Sequence, residues 1–433
     1  MPVEKVPGTA IWYYLIVHDA EGQERQDDPD GQMSRLAIDA VREPAVTDVF
    51  LISHGWRGDV PSARHQYARW IAAMASCAAD IALMKKNRPS FRPLLMGLHW
   101  PSEPWGDETF AGAVSFDTAG ADPVEELVNE TAAKTVDTPA ARVALRTIVT
   151  AALEDNNPPH LPPHVQEAYA ALDRELALGH AGEAAPPGHD RERFDADEVY
   201  REGQTSAVSF GGFTDGLLSP LRALSFWKMK DRARRFGESG AHRLLVGLMG
   251  ATVGRDVKFH LVGHSFGCIV ASGGVAGPGS TALPRPVDSL VLLQGALSLW
   301  SYCSDIPAAK GTAGYFHSLV SDGRVRGPII TTQSEYDRAV GTWYPWAAGV
   351  KGQYSYKPGE LPKYGAVGAF GVHGPGADGE DRSLLDLESG FGPGRIYNLD
   401  GSAVINVGGG FSGAHSDIAK PAVAHAVWQA AMV

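Results

Sequence analysis

The chain has 433 residues, 44% hydrophobic and 20% charged, with a formal net charge of -12. This is the composition of a globular protein with a sizeable core, and the length accommodates one large α/β domain with insertions, or two domains. An acidic balance without any block of like charges argues against a nucleic-acid partner. The three cysteines, Cys77, Cys268 and Cys303, are too scattered for a disulfide framework, and no C-x-x-C pair suggests zinc. The N-terminus lacks the pattern of a signal peptide, and no run approaches the ~20 apolar residues of a transmembrane segment. The expected location is cytoplasmic.

Thr9 to His18 reads as a strand rich in aromatic and β-branched residues, and Asp48 to Ser53 as a second, ending in His54-Gly55. Pro61 opens a helical pattern running to about Met84, and Pro93 to Trp100 forms a third strand. Strands apolar on both faces, alternating with helices, predict a parallel sheet covered on both sides. Residues 107–215 break this rhythm. They hold helical patterns near Asp122 to Lys134, Pro139 to Leu153 and Pro163 to Leu178, then a Pro/Gly-interrupted piece from Gly179 to Arg193. The segment reads as a helical cap or lid inserted into a core of residues 1–106 and 216–433, with disorder an equal reading for Gly179 to Arg193.

The rhythm then resumes. Leu217 to Met249 predicts two helices broken around Gly237 and Gly240, Val257 to Gly263 a strand, and Phe266 to Ala276 a helix. Val287 to Leu293 and Pro328 to Thr332 read as strands. Arg395 to Leu399 and Ala403 to Val407 read as strand material split by Asp400-Gly401. Asp417 to Met432 reads as a final amphipathic helix, and Val350 to Gly394 as a long loop region. The sum is an α/β fold with a mostly parallel sheet of about eight strands flanked by helices.

One pentapeptide, Gly263-His264-Ser265-Phe266-Gly267, fits G-x-S-x-G. The pattern is weak alone in a chain with 50 glycines. Its context, a strand before and a helix after, is that of a nucleophile elbow, where a strained serine exposes its hydroxyl. A helix starting at Phe266 aims its first N–H groups toward developing negative charge.

A serine hydroxyl needs a base. Of 15 histidines, His415 follows the last strand and precedes the last helix, where a loop can present it to the elbow; Ser416 and Asp417 suit capping of that helix. His373 and His425 are alternatives. The acid that would fix the histidine is best supplied by Asp337, a few residues beyond the strand Pro328 to Thr332, with Glu335, Asp305 and Asp322 as rivals.

The elbow, the His54-Gly55 turn, the Ala414-His415-Ser416-Asp417 ending and the order Ser265, Asp337, His415 resemble bacterial members of the α/β-hydrolase superfamily. The resemblance covers most of the chain outside 107–215 and 350–394. It implies acyl-serine chemistry without a metal or other cofactor, an oxyanion hole formed by the backbone N–H groups of Trp56 and Phe266, and a small ester or acyl compound as substrate. Cleavage of carboxylic esters, as in esterases and lipases, is the reading adopted. A peptidase, thioesterase or acyltransferase would use the same residues, and a binding protein on the same scaffold would use none of them. His54, Trp100, Trp105, Trp343 and Trp346 fall near the predicted rim, where they either line an apolar pocket or simply pack the interior. The insertion before the elbow departs from the more usual lid position after it.

Overall fold

The computed structural model describes residues 3–28, 31–56, 59–102, 122–154, 158–205, 215–344, 361–409 and 412–433. Among them nine strands form one sheet: β1 Val3–Lys5, β2 Trp12–Val17, β3 Asp48–Ser53, β4 Pro93–His99, β5 Lys258–His264, β6 Ser289–Leu293, β7 Ile329–Gln333, β8 Glu380–Ser383 and β9 Ile396–Asp400. Their spatial order is β1-β2-β4-β3-β5-β6-β7-β9-β8. β1 and β2 pair antiparallel, and every other pairing is parallel.

The central strands explain this topology. Every residue of β3 and of β6 is buried, as a strand covered on both faces requires. The chain steps from β3 to β4 on one side, then returns across β3 to lay β5 on the other. The strand order therefore reverses at β3, and the crevice beyond the carboxyl ends of β3 and β5 is a topological switch point, the favoured ligand position in open α/β sheets. Register aligns these ends, with Ser53 opposite Gly263, Gly263 opposite Leu292, and Leu292 opposite Thr331.

Several sequence expectations change. The helix expected from Pro61 to Met84 is two, Val60–Ser76 and Ala78–Asn87, interrupted at Cys77. The break expected at Gly237 and Gly240 is a π-helical turn, Gly237–Ala241, joining Asp215–Phe236 to His242–Ala251. Ala403 to Val407 is not a strand, because the Val404 and Ile405 amides both bond back to Gly401 O, at 2.8 and 2.7 Å. The last helix spans Pro421–Ala431, with proline in its first turn. Asp417 does not cap it. Its carboxylate accepts instead from the Asn406 and Val407 amides, at 3.1 and 2.8 Å.

The chain divides into two compact units. One holds the sheet, in Met1–Ser102, Arg232–Tyr344 and Ser355–Val433; the other comprises Glu103–Asp231 and Pro345–Tyr354. Within the second, helices Pro123–Lys134, Pro139–Leu153 and Pro163–Leu176 pack in succession. Thr138 caps the middle one by accepting from the Ala141 amide at 3.1 Å. The irregular piece Gly179 to Arg193 is tied down by buried charge. Arg191 is 1% exposed and pairs with Asp173 at 2.5 Å, and Lys230 pairs with Asp190 at 2.5 Å. Burial pushes the Lys230 ammonium down and the Asp190 carboxyl up, against their mutual attraction.

Among the described residues, no helix is long and apolar enough to cross a membrane.

Candidate functional site at the carboxyl ends of the strands

Between β5 and the buried helix Gly267–Ala276, Ser265 has φ +57°, a left-handed conformation that costs a non-glycine residue roughly 1–2 kcal/mol. The neighbouring backbone holds it there. Ser265 N–H donates to Leu293 O at 3.0 Å, and Ser265 O accepts from the Cys268 and Ala296 amides at 3.1 and 3.2 Å. The flanking glycines answer to close backbone approach. A Cβ on Gly263 would stand 2.3 Å from Gly267 O, and one on Gly267 would stand 2.2 Å from Ser53 O.

His415 Nδ1 lies 2.7 Å from the Asp337 carboxylate, and both residues are buried. Since the carboxylate accepts, the ring proton sits on Nδ1 and leaves Nε2 as the basic nitrogen. Asp337 Oδ1 also accepts from the Val340 amide, at 3.2 Å. The alternatives are engaged elsewhere: His425 bonds Asp80 at 2.8 Å, His373 donates to Phe370 O at 2.7 Å, Asp305 accepts from the Gly311 amide at 2.6 Å, Asp322 pairs with Arg324, and Glu335 is exposed. His264 Nε2 donates to His415 O at 2.9 Å, which ties the histidine's loop to the residue before Ser265. Burial pushes the His264 imidazole down to about 3, so it is neutral. The Ser265 hydroxyl makes no hydrogen bond among the described residues.

Gln294, which the sequence reading passes over, joins the His415–Asp337 pair. Fully buried and with φ +46°, it donates from Nε2 to Asp337 Oδ2 at 2.8 Å, while its Oε1 accepts from Thr332 Oγ1 at 2.9 Å. The threonine hydroxyl proton thereby fixes which end of the carboxamide faces Asp337.

On the opposite side, Gly55 packs on the serine: a Cβ there would lie 2.4 Å from Ser265 Cβ and 3.0 Å from Oγ. Trp56 is half-buried, with its ring 6.1 Å from that of Phe266. His54 and Trp100 are not at an open rim. Both have no exposed surface, and their rings stack nearly parallel at 5.8 Å, because each follows a central strand into the interior. Trp105 and Trp346 lie outside the described residues, and only the backbone of Trp343 is described, within the π-helical turn Ala339–Trp343. No group of three or more His, Cys, Asp or Glu among the described residues is arranged to hold a metal.

Comparison with protein-family models, curated proteins and solved structures returns no match for this chain. What the fold itself shows is a mostly parallel sheet flanked by helices, the general α/β-hydrolase type of architecture.

Proposed function

We propose that this protein is a serine hydrolase of carboxylic esters, with Ser265 as nucleophile, His415 as base and Asp337 as the acid that orients it. The observation that carries this reading is the His415–Asp337 bond at 2.7 Å, on the same sheet rim as a serine held at φ +57°. Strain at a serine between strand and helix is a cost that exposure of a nucleophile explains.

In this reading Ser265 Oγ attacks the ester carbonyl carbon and its proton passes to His415 Nε2. The carbonyl oxygen becomes an oxyanion, held by the Trp56 and Phe266 amides. Collapse expels the alcohol, which takes the proton from His415 and leaves an acyl-serine. Water then attacks the acyl carbon, giving a proton to His415, and the carboxylic acid departs as Ser265 regains its hydrogen. Asp337 keeps the imidazole in the required tautomer and stabilises its charged form. In the same reading, residues 107–215 are an insertion into the hydrolase core.

A fluorophosphonate probe tests the assignment. It should label the wild type and spare Ser265→Ala; equal labelling of both, or none of the wild type, overturns it. Turnover across ester chain lengths, acyl-thioesters and peptides then separates esterase from thioesterase and peptidase, and added alcohols or amines as acceptors reveal acyl transfer.

A further inference from the structure

Behind the Gly55–Trp56 peptide stands a pair of histidines from adjacent strands. Ser53 pairs with Leu98, so His54 and His99 leave β3 and β4 at the same level. His54 Nδ1 lies 2.8 Å from Gly55 O, and His54 Nε2 lies 2.9 Å from His99 Nδ1. A carbonyl oxygen only accepts, so the proton of His54 sits on Nδ1. Both rings are buried, which pushes His54 down to about 4 and His99 down to about 3, so both are neutral at physiological pH. A neutral imidazole has a single N–H. His54 Nε2 is therefore an acceptor, and His99 Nδ1 must be its donor. The direction of the chain is fixed: His99 donates to His54, and His54 donates to Gly55 O.

The rest of His54 is anchored independently. Its N–H donates to the Tyr67 hydroxyl at 2.9 Å, the Tyr67 hydroxyl donates to Leu98 O, and the Trp100 indole N–H donates to His54 O at 3.2 Å. The ring is thus left one task, holding the carbonyl of the next residue. That carbonyl belongs to a trans peptide, whose N–H points to the opposite side. The N–H is that of Trp56, and Gly55 is the residue in contact with Ser265.

We propose that His54 and His99 are positioning residues that aim the Trp56 amide at the substrate oxygen during acylation of Ser265. The role rests on the assignment of Ser265 as nucleophile. His99 touches neither substrate nor serine, and it acts only by keeping His54 in the Nδ1–H tautomer, the one less favoured by free histidine in water.

The test joins kinetics to nitrogen NMR of the histidine rings. In wild type, both His54 and His99 should carry their protons on Nδ1; an Nε2-bound proton on His54 overturns the proposal. In His99→Leu, His54 loses its donor, and kcat for ester cleavage should fall about 10- to 100-fold, the scale of a misaimed catalytic group, with KM within twofold. His99→Asn, whose amide stands near the lost Nδ1–H, should recover most of the rate. An unchanged kcat in His99→Leu, with Ser265 still labelled by a fluorophosphonate, overturns the positioning role alone. Absence of labelling at Ser265 in the wild type overturns the assignment beneath it, and the role falls with it.

Discussion

At the amino ends of the central strands the buried carboxylates Asp48 and Asp288 are paired with arginines, whereas at the carboxyl ends of the same strands several buried histidines are neutral. Asp48, at the start of β3, pairs with Arg88 at 2.7 Å and His260 at 3.1 Å, and accepts from Thr47 at 2.6 Å. Burial alone would raise its carboxyl, yet these bonds together hold it below its ordinary value. Asp288, just before β6, accepts from the Phe259 amide at 2.8 Å and pairs with Arg285 and Arg326. At the other end lie His18, His54, His99 and His264, all pushed down by burial, beside the pair His415–Asp337. One strand shows both habits. His260 of β5 faces a carboxylate, and His264, four residues on, faces a backbone carbonyl. Paired charges hold the sheet together at one end. Neutral rings at the other end orient their neighbours through single hydrogen bonds and add no charge there.

Acid should break this contrast most severely. An unfolded histidine takes up its proton near pH 6.5. The four buried rings resist until about 4 for His18 and His54 and about 3 for His99 and His264, so the unfolded state binds more protons between these limits. Stability is therefore full above about pH 6.5 and falls as pH drops toward 4. At about 1.4 kcal/mol per pKa unit, four such rings rival the 5–15 kcal/mol that holds a typical fold. Tryptophan fluorescence and circular dichroism should report cooperative unfolding before about pH 4; a native spectrum at pH 3 would show that these rings cost the fold far less on acidification than their shifts imply. Next in size is Asp337→Asn, which should lower kcat by about 10⁴-fold through the wrong tautomer of His415 while leaving the thermal midpoint nearly unchanged. Asp48→Ala should do the reverse: a loss of about 3–5 kcal/mol in urea unfolding, from uncompensated partners, with kcat per folded molecule preserved. If Asp48→Ala cut kcat as deeply as stability, the two ends would not be separable. Mildest is Gln294→Leu, which removes one donor to a carboxylate and should lower kcat/KM about 10-fold, checked by initial rates on a chromogenic ester. A rate equal to wild type would leave Gln294 with a packing role only.

Much of the sheet was legible because strands buried on both faces leave apolar runs such as Asp48–Ser53 and Ser289–Leu293. The edge strands were not. Val3–Lys5 and Glu380–Ser383 are three and four residues long and largely polar or exposed, so no period can develop in them. At the candidate site, Ser265, Asp337 and His415 could be singled out because each follows a strand end. His99 could not, since its partner is 45 residues away and a histidine after an apolar strand resembles any other. The one available signal was that a histidine stands at the end of each run, His54 just after β3 and His99 closing β4. Gln294 offered none, because a buried amide is specified by its neighbours in space rather than by spacing along the chain.

Ser265 and Gln294 both hold left-handed backbone at consecutive strand ends, joined through the bond from Ser265 N–H to Leu293 O. At Gln294 the buried side-chain hydrogen bonds offset that strain, but at Ser265 a glycine would relax the backbone, so selection for robustness and selection for turnover pull in opposite directions there. A library enriched only for heat resistance would drift toward glycine at 265 and lose the hydroxyl on which the proposed reaction depends. The rim is in that sense a stored liability, retained only for as long as something rewards the chemistry.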